Sequence, residues 1–238
     1  MEIKTPHKIE QIYAENNYGM FGKLKLTIYS DSSYTCVKYE TSPNYEKTEK
    51  FDGFFNITND TINFFPSDFK LNYSTKAIIK NNFIEFIDGE YPLKIEIKKN
   101  TLKSKNQLNF NKIKDYAFFT FNKKYHSPIY YGYKPNTIKP YDIKQSEYED
   151  LNRILKKCFS ENKSKLKDIN NYVKQCIVVK NKKQEIEVWI RCYCKSKYEK
   201  ENYKYFIIQM NDGGNCNINL KINLTKQNYS ELNISGSA

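Results

Sequence analysis

Lys23-Leu24-Lys25-Leu26-Thr27-Ile28-Tyr29-Ser30 puts Leu24, Leu26 and Ile28 on one side of an extended chain and Lys23, Lys25 and Thr27 on the other. Successive side chains of a strand point to opposite faces, so this period-two pattern marks a half-buried β-strand. The pattern continues outward from there. Ser30-Asp31-Ser32-Ser33 reads as a turn, and Tyr34 to Tyr39 as the returning strand. Phe51 to Ile57 and Thr61 to Phe65 flank a turn at Asn59-Asp60. Ala77 to Lys80 and Phe83 to Ile87 flank Asn81-Asn82, a pair suited to positive φ in a tight hairpin. Leu93, Ile95 and Ile97 alternate with Lys94, Glu96 and Lys98, and Gln107 to Phe110 and Tyr116 to Phe121 are expected to finish the series. Roughly eight to ten short strands joined by short turns predict an antiparallel meander, either an up-and-down barrel or a sandwich. This first domain is expected to span residues 1–122.

Residues 123–144 break the alternation with three prolines, a glycine and five tyrosines, and read as a Tyr/Pro-rich connection. A second domain is expected over 145–238. Ser146 and Glu149 have capping-box spacing, and Tyr148, Leu151, Ile154, Leu155 and Cys158 share one face of the amphipathic helix that follows. Four strands are expected after it, at Tyr172–Val179, Ile186–Cys194, Tyr203–Met210 and Asn217–Leu224, with Ser230–Ile234 as a short tail strand. The fold class is therefore mainly β with an α+β second half. That half is a helix plus a four-stranded antiparallel sheet, as in cystatin-like or nuclear-transport-factor-like architectures.

The chain of 238 residues has 39 Lys+Arg against 27 Asp+Glu, a net charge of +12, and a mean hydropathy of -0.78. Only Arg153 and Arg191 among those cations are arginine. Bidentate recognition of phosphate or of guanine edges favours the guanidinium fork, and lysine supplies only a mobile point charge. Lys, Asn, Ile and Tyr are all read by AT-rich codons, so composition accounts for much of the charge. No apolar run approaches the ~18 residues of a membrane-spanning helix. The first twenty residues contain no apolar core of a signal peptide, so a cytoplasmic location is expected as written, and a periplasmic or envelope one if an export signal was removed.

The C-terminal stretch carries Val188-Trp189-Ile190-Arg191-Cys192-Tyr193-Cys194, then Asp212-Gly213-Gly214-Asn215-Cys216 and Lys221-Ile222-Asn223-Leu224-Thr225. Tyr229, Leu232 and Ile234 follow, before Ser235-Gly236-Ser237-Ala238. Over about fifty residues this ending resembles bacterial envelope lipoproteins and secreted accessory proteins that have no assigned chemistry. The resemblance implies an α+β second half and leaves activity open.

Few residues could carry catalysis. His7 and His126 are the only imidazoles; His126 is expected on a surface loop, and no spacing suggests a triad. The six cysteines are Cys36, Cys158, Cys176, Cys192, Cys194 and Cys216. Cys192, Cys194 and Cys216 share the apolar face of their strands, which predicts buried free thiols. A disulfide from Cys216 to Cys192 or Cys194 is the alternative in an oxidising compartment, and a thiolate metal site is weaker, since no paired CxxC occurs. Asp212-Gly213-Gly214-Asn215 is followed by a strand and reads as a turn, not a phosphate loop. The acidic clusters Glu85/Asp88/Glu90 and Glu147/Glu149/Asp150 read as solvated or capping charges. No cofactor or metal is expected.

The most suggestive stretch runs from Lys98 to Tyr141, where between 98 and 124 eight lysines are opposed only by Asp115. Lys112, Lys114, Lys123, Lys124, Tyr125, Tyr130, Tyr131 and Tyr133 are its candidate partner-binding residues. Tyrosines supply large rigid contact area and lysines accelerate encounter with an acidic partner. The expected function is a non-enzymatic protein-binding protein of inhibitor, immunity or assembly-accessory type. A basic nucleic-acid-binding module is the alternative, because lysines interleaved with aromatics suit a single strand. A small-molecule or enzymatic pocket in the helix-plus-sheet half is the third.

Overall fold

The computed structural model of the chain describes residues 8–17, 22–65, 72–102, 104–105, 108–110, 112–126, 132–134, 136–195 and 202–236. It divides between Asn106 and Gln107 into two compact units.

In the first unit, β1 (Glu10–Asn17), β2 (Gly22–Tyr29), β3 (Ser33–Ser42), β4 (Tyr45–Thr58), β5 (Thr61–Phe65), β6 (Lys76–Lys80), β7 (Phe83–Phe86) and β8 (Leu93–Asn100) pair antiparallel in chain order. β1 also pairs with β8, so the sheet closes into a barrel and the sandwich is set aside. An eight-stranded barrel is just wide enough for side chains to fill. Here Leu24, Leu26, Ile28, Ile62, Phe64 and Phe86 fill it, with Tyr34 edge-on to Phe64 at 5.0 Å. Asn59 and Asp60, and Asn81 and Asn82, take positive φ at the two tight turns. Gly53 lies opposite Tyr34; a Cβ there would meet the Phe65 carbonyl oxygen at 2.2 Å. The closing strand β1 has no counterpart in the sequence reading, because Ile12 and Ala14 point inward beside a buried Asn16, a weakly apolar pattern.

The second unit is a sheet with β9 (Tyr116–Thr120), β10 (Ile138–Pro140), β11 (Tyr172–Asn181), β12 (Ile186–Cys194), β13 (Asn217–Asn223) and β14 (Asn228–Ile234). The helix α1 (Gln145–Glu161) lies on one face. Tyr148, Leu151, Ile154, Leu155 and Cys158 pack there against Phe118, Cys176, Ile190 and Leu220. The other face is also covered: Phe119, Ile177, Trp189 and Tyr193 are buried with Tyr203, against Phe121, Tyr133, Ile207 and Ile208.

Six expectations are corrected here. Tyr116–Phe121 does not close the first domain, because β9 pairs parallel with β11. Residues 116–119 are buried on both sides, as in a sheet covered twice. The described residues of 123–144 are not a connection between domains; β10 pairs with β11 and Tyr133 packs on Trp189. Residues 108–110 form no strand. The sheet has six strands with one parallel pair, where four antiparallel strands were expected. Finally, Tyr203–Met210 is no strand: both sides of β12 are already occupied by β11 and β13. The segment is instead held by Gln175, whose Nε2 donates to the Tyr203 and Phe206 carbonyls, each at 2.7 Å, and whose Oε1 accepts from the Ile208 amide at 2.9 Å. The helix also starts earlier than expected. Its N-cap is Lys144, and Glu147, not Glu149, reaches back to accept from the Lys144 amide at 2.7 Å.

Candidate functional site

The basic run resolves into exposed lysines and packed aromatics. Lys112, Lys114, Lys123 and Lys124 stand exposed, while Ile113 between the first two is buried. Tyr116 and Phe118 are buried beneath α1, edge-on to Tyr148 at 5.3 and 6.4 Å. Phe119 is buried on the opposite face. Tyr116, Phe118 and Phe119 therefore offer no ring for a base to stack on. Tyr125 is half-buried, edge-on to His126 at 5.9 Å. Tyr133 is half-buried and stacked on Trp189, and Lys221 Nζ lies 4.9 Å from the centre of its ring. Tyr130 and Tyr131 lie outside the described residues.

His126 is not a surface residue. It is 5% exposed, and its Nδ1 accepts from the Asn122 amide at 3.0 Å. Burial, reinforced by the nearby Arg191 guanidinium, pushes its pKa down to about 4. The neutral ring thus acts as a packing element beside Phe121, 6.0 Å away.

The carboxylates expected to be bland are engaged in local structure. Asp88 accepts from the Ser74 hydroxyl, the Thr75 hydroxyl and the Thr75 and Lys76 amides. These bonds hold its pKa below the usual range against the opposing effect of burial. Glu147 caps α1 and accepts from Tyr141 Oη at 2.9 Å, and Asp150 pairs with Arg153 at 2.9 Å. Gly213 and Gly214 take φ of 107° and 53°, so the Asp212–Asn215 stretch is a left-handed turn into a short 3-10 turn, Gly214–Cys216. No group of three His, Cys, Asp or Glu side chains that could hold a metal ion occurs among the described residues.

Two of the three C-terminal cysteines are not free thiols. Cys194 and Cys216 form a disulfide with Cα atoms 4.7 Å apart. The register explains the pairing: Tyr193 faces Asn217 and Cys192 faces Ile218, so the residue before Asn217 comes beside Cys194. Cys36, Cys158, Cys176 and Cys192 are buried and outside any disulfide. Burial pushes Cys192 up to about 12 and Cys158 up to about 11, which keeps them protonated and unreactive.

An exposed apolar pair lies on the outer face of the barrel. Phe54 on β4 and Phe65 on β5 face each other on the outside of the wall, 65% and 48% exposed, while Phe55 and Phe64 face each other inside. The signal was in the sequence: each Phe-Phe doublet in a strand must turn one ring outward. The next outward pair is polar, with Asn63 Nδ2 donating to Asn56 Oδ1 at 2.9 Å. Tyr73 and Tyr91 are also exposed, on turns joined by Asn72, which donates to the Tyr91 carbonyl at 2.9 Å.

No family model, no curated protein and no solved structure matches the chain. No helix among the described residues is long and apolar enough to cross a membrane.

Proposed function

We propose that this protein binds another protein and carries no catalytic centre of its own, in an inhibitor, immunity or assembly-accessory role. The Phe54–Phe65 pair carries the reading. Two opposed phenylalanines on the outside of a closed barrel add nothing to its core, and contiguous exposed apolar surface marks contact sites. Large rings excluded from water on binding make good anchors. The exposed lysines 112, 114, 123 and 124 favour an acidic partner and act mainly on the rate of encounter. The half-buried Cys194–Cys216 disulfide supports an oxidising compartment for this role, periplasmic, envelope or extracellular. The nucleic-acid reading retains the charge of these lysines but loses Tyr116, Phe118 and Phe119 as stacking rings, since all three are buried.

The test is affinity capture from the native cell with the wild-type chain and with Phe54→Ser/Phe65→Ser, followed by kinetics on the captured protein. The double substitution is expected to raise the dissociation rate at least tenfold. Charge reversal at Lys112 and Lys114 is expected to slow association and flatten its salt dependence. Kinetics unchanged by both sets overturn the reading. Tight, salt-sensitive binding of single-stranded nucleic acid by the wild type would favour the alternative.

A further inference from the structure

We propose that Cys194–Cys216, with Lys167 beside it, is a thiol–disulfide exchange site: a surface pair that a dithiol opens while the sheet stays folded. Three observations combine. First, this pair is the reachable one. Cys194 and Cys216 are half-buried, whereas Cys36, Cys158, Cys176 and Cys192 are fully buried.

Second, a cation sits on the sulfurs. Lys167 Nζ lies 3.3 Å from Cys194 Sγ and 3.0 Å from Cys216 Sγ, on an exposed residue. An ammonium at that distance stabilises a thiolate, and a better-stabilised leaving thiolate departs faster in exchange.

Third, the backbone that carries the cation is anchored beside the bridge. The Lys167 amide donates to Tyr172 Oη at 3.1 Å, and that hydroxyl donates to the Asn215 carbonyl at 2.6 Å. One buried phenol thus ties the residue bearing the ammonium to the residue before Cys216.

The step balances as follows. One thiolate of the dithiol attacks a sulfur of the pair and expels the other as a thiolate facing Lys167. The second thiol of the reductant then resolves the mixed disulfide. The reductant leaves as a disulfide, and the protein gains two electrons and two protons as two thiols. The ladder from Tyr193–Asn217 to Glu187–Asn223 does not depend on the bridge, nor does the Ser235 amide bond to the Asn217 carbonyl at 3.0 Å. Opening should therefore stay local to the turn before Cys216.

The experiment uses the full oxidised chain in native buffer with millimolar dithiothreitol, quenched with N-ethylmaleimide and read by intact mass and peptide mapping. Two adducts are expected, at Cys194 and Cys216, with far-UV circular dichroism unchanged and the other four thiols labelled only in urea. Lys167→Met should slow reduction several-fold and shift the pH profile of alkylation of the freed thiols upward, and Lys167→Arg should restore both. Labelling of all six cysteines together would show that reduction requires unfolding and would overturn the proposal. A Lys167→Met rate and pH profile equal to wild type would overturn it as well. The test does not involve the partner, so it stands or falls apart from the binding role.

Discussion

Tyr133 lies stacked on Trp189, ring centroids 5.9 Å apart and planes inclined by 28°, on the sheet face turned away from α1. The tyrosine that sequence patterning offers as a partner anchor is here a packing residue. Tyr133→Ala should therefore destabilise the fold by about 1–3 kcal/mol, through lost burial and ring contact. Thermal denaturation of the variant checks this; an unchanged melting temperature with weakened partner binding would return Tyr133 to the interface.

His126 should make the protein acid-labile. Its folded pKa of about 4 lies below the ordinary value of 6.5, so the unfolded chain binds the extra proton. The stabilisation from keeping the ring neutral is complete above about pH 6.5 and is lost as pH falls toward 4. The shift corresponds to about 3 kcal/mol. Urea midpoints between pH 4 and 7 should rise with pH, and His126→Phe should flatten that slope. An equal slope in the variant would assign the acid sensitivity elsewhere.

Lys174 is buried on the α1 side of the sheet, its Nζ 5.1 Å from the centre of the Tyr116 ring. Burial lowers its pKa, while Asp115 pulls the other way. Lys174→Met keeps the aliphatic stem and removes the cost of burying the cation. The melting temperature at pH 7 should stay level or rise; a clear fall would show that the cation–π contact and Asp115 outweigh desolvation.

Gly53 and Phe54 are neighbours with opposite expectations. A Cβ at Gly53 would lie 2.2 Å from the Phe65 carbonyl oxygen and 2.8 Å from Tyr34 Cε1. Gly53→Ala must push the β4 and β5 backbones apart, at a cost of about 1–3 kcal/mol. Phe54→Ser, outward and exposed, should change stability by no more than about 0.5 kcal/mol. Paired denaturation curves decide it: similar losses at both sites would mean that the Phe54 ring supports the barrel.

The disulfide also restrains the unfolded chain. Its cysteines are 22 residues apart, and closing a loop of that size contributes about 3 kcal/mol on the chain-entropy account. Cys194→Ser/Cys216→Ser should lower the urea midpoint accordingly while the folded spectrum stays the same.

Much of the barrel was legible because its information is local. Leu24, Leu26 and Ile28, and later Leu93, Ile95 and Ile97, report their inward face by spacing alone, and all are buried inside the barrel. Asn81-Asn82 announces its hairpin by the conformations those residues tolerate. The candidate site was legible in part. Lysines 112, 114, 123 and 124 are exposed, but the packing of Tyr133 on Trp189 was not readable. A tyrosine on an interface and one packed on Trp189 have the same local sequence.

The sequence by itself thus determined most of the strands, the helix and which side of each is apolar, because periods of 2 and 3.6 residues depend only on neighbours along the chain. The tertiary structure alone decided the rest. Closure through β1, a strand with only Ile12 and Ala14 as apolar inward residues, depends on the edge that β8 leaves open for it. β9 joins β11 in a sheet covered on both faces, where Tyr116 to Phe119 are all buried. Cys194, not Cys192, meets Cys216 because the β12–β13 register puts Ile218 opposite Cys192. Each of these pairings joins residues distant in sequence, and no periodicity along the chain encodes which of several compatible edges a strand will meet.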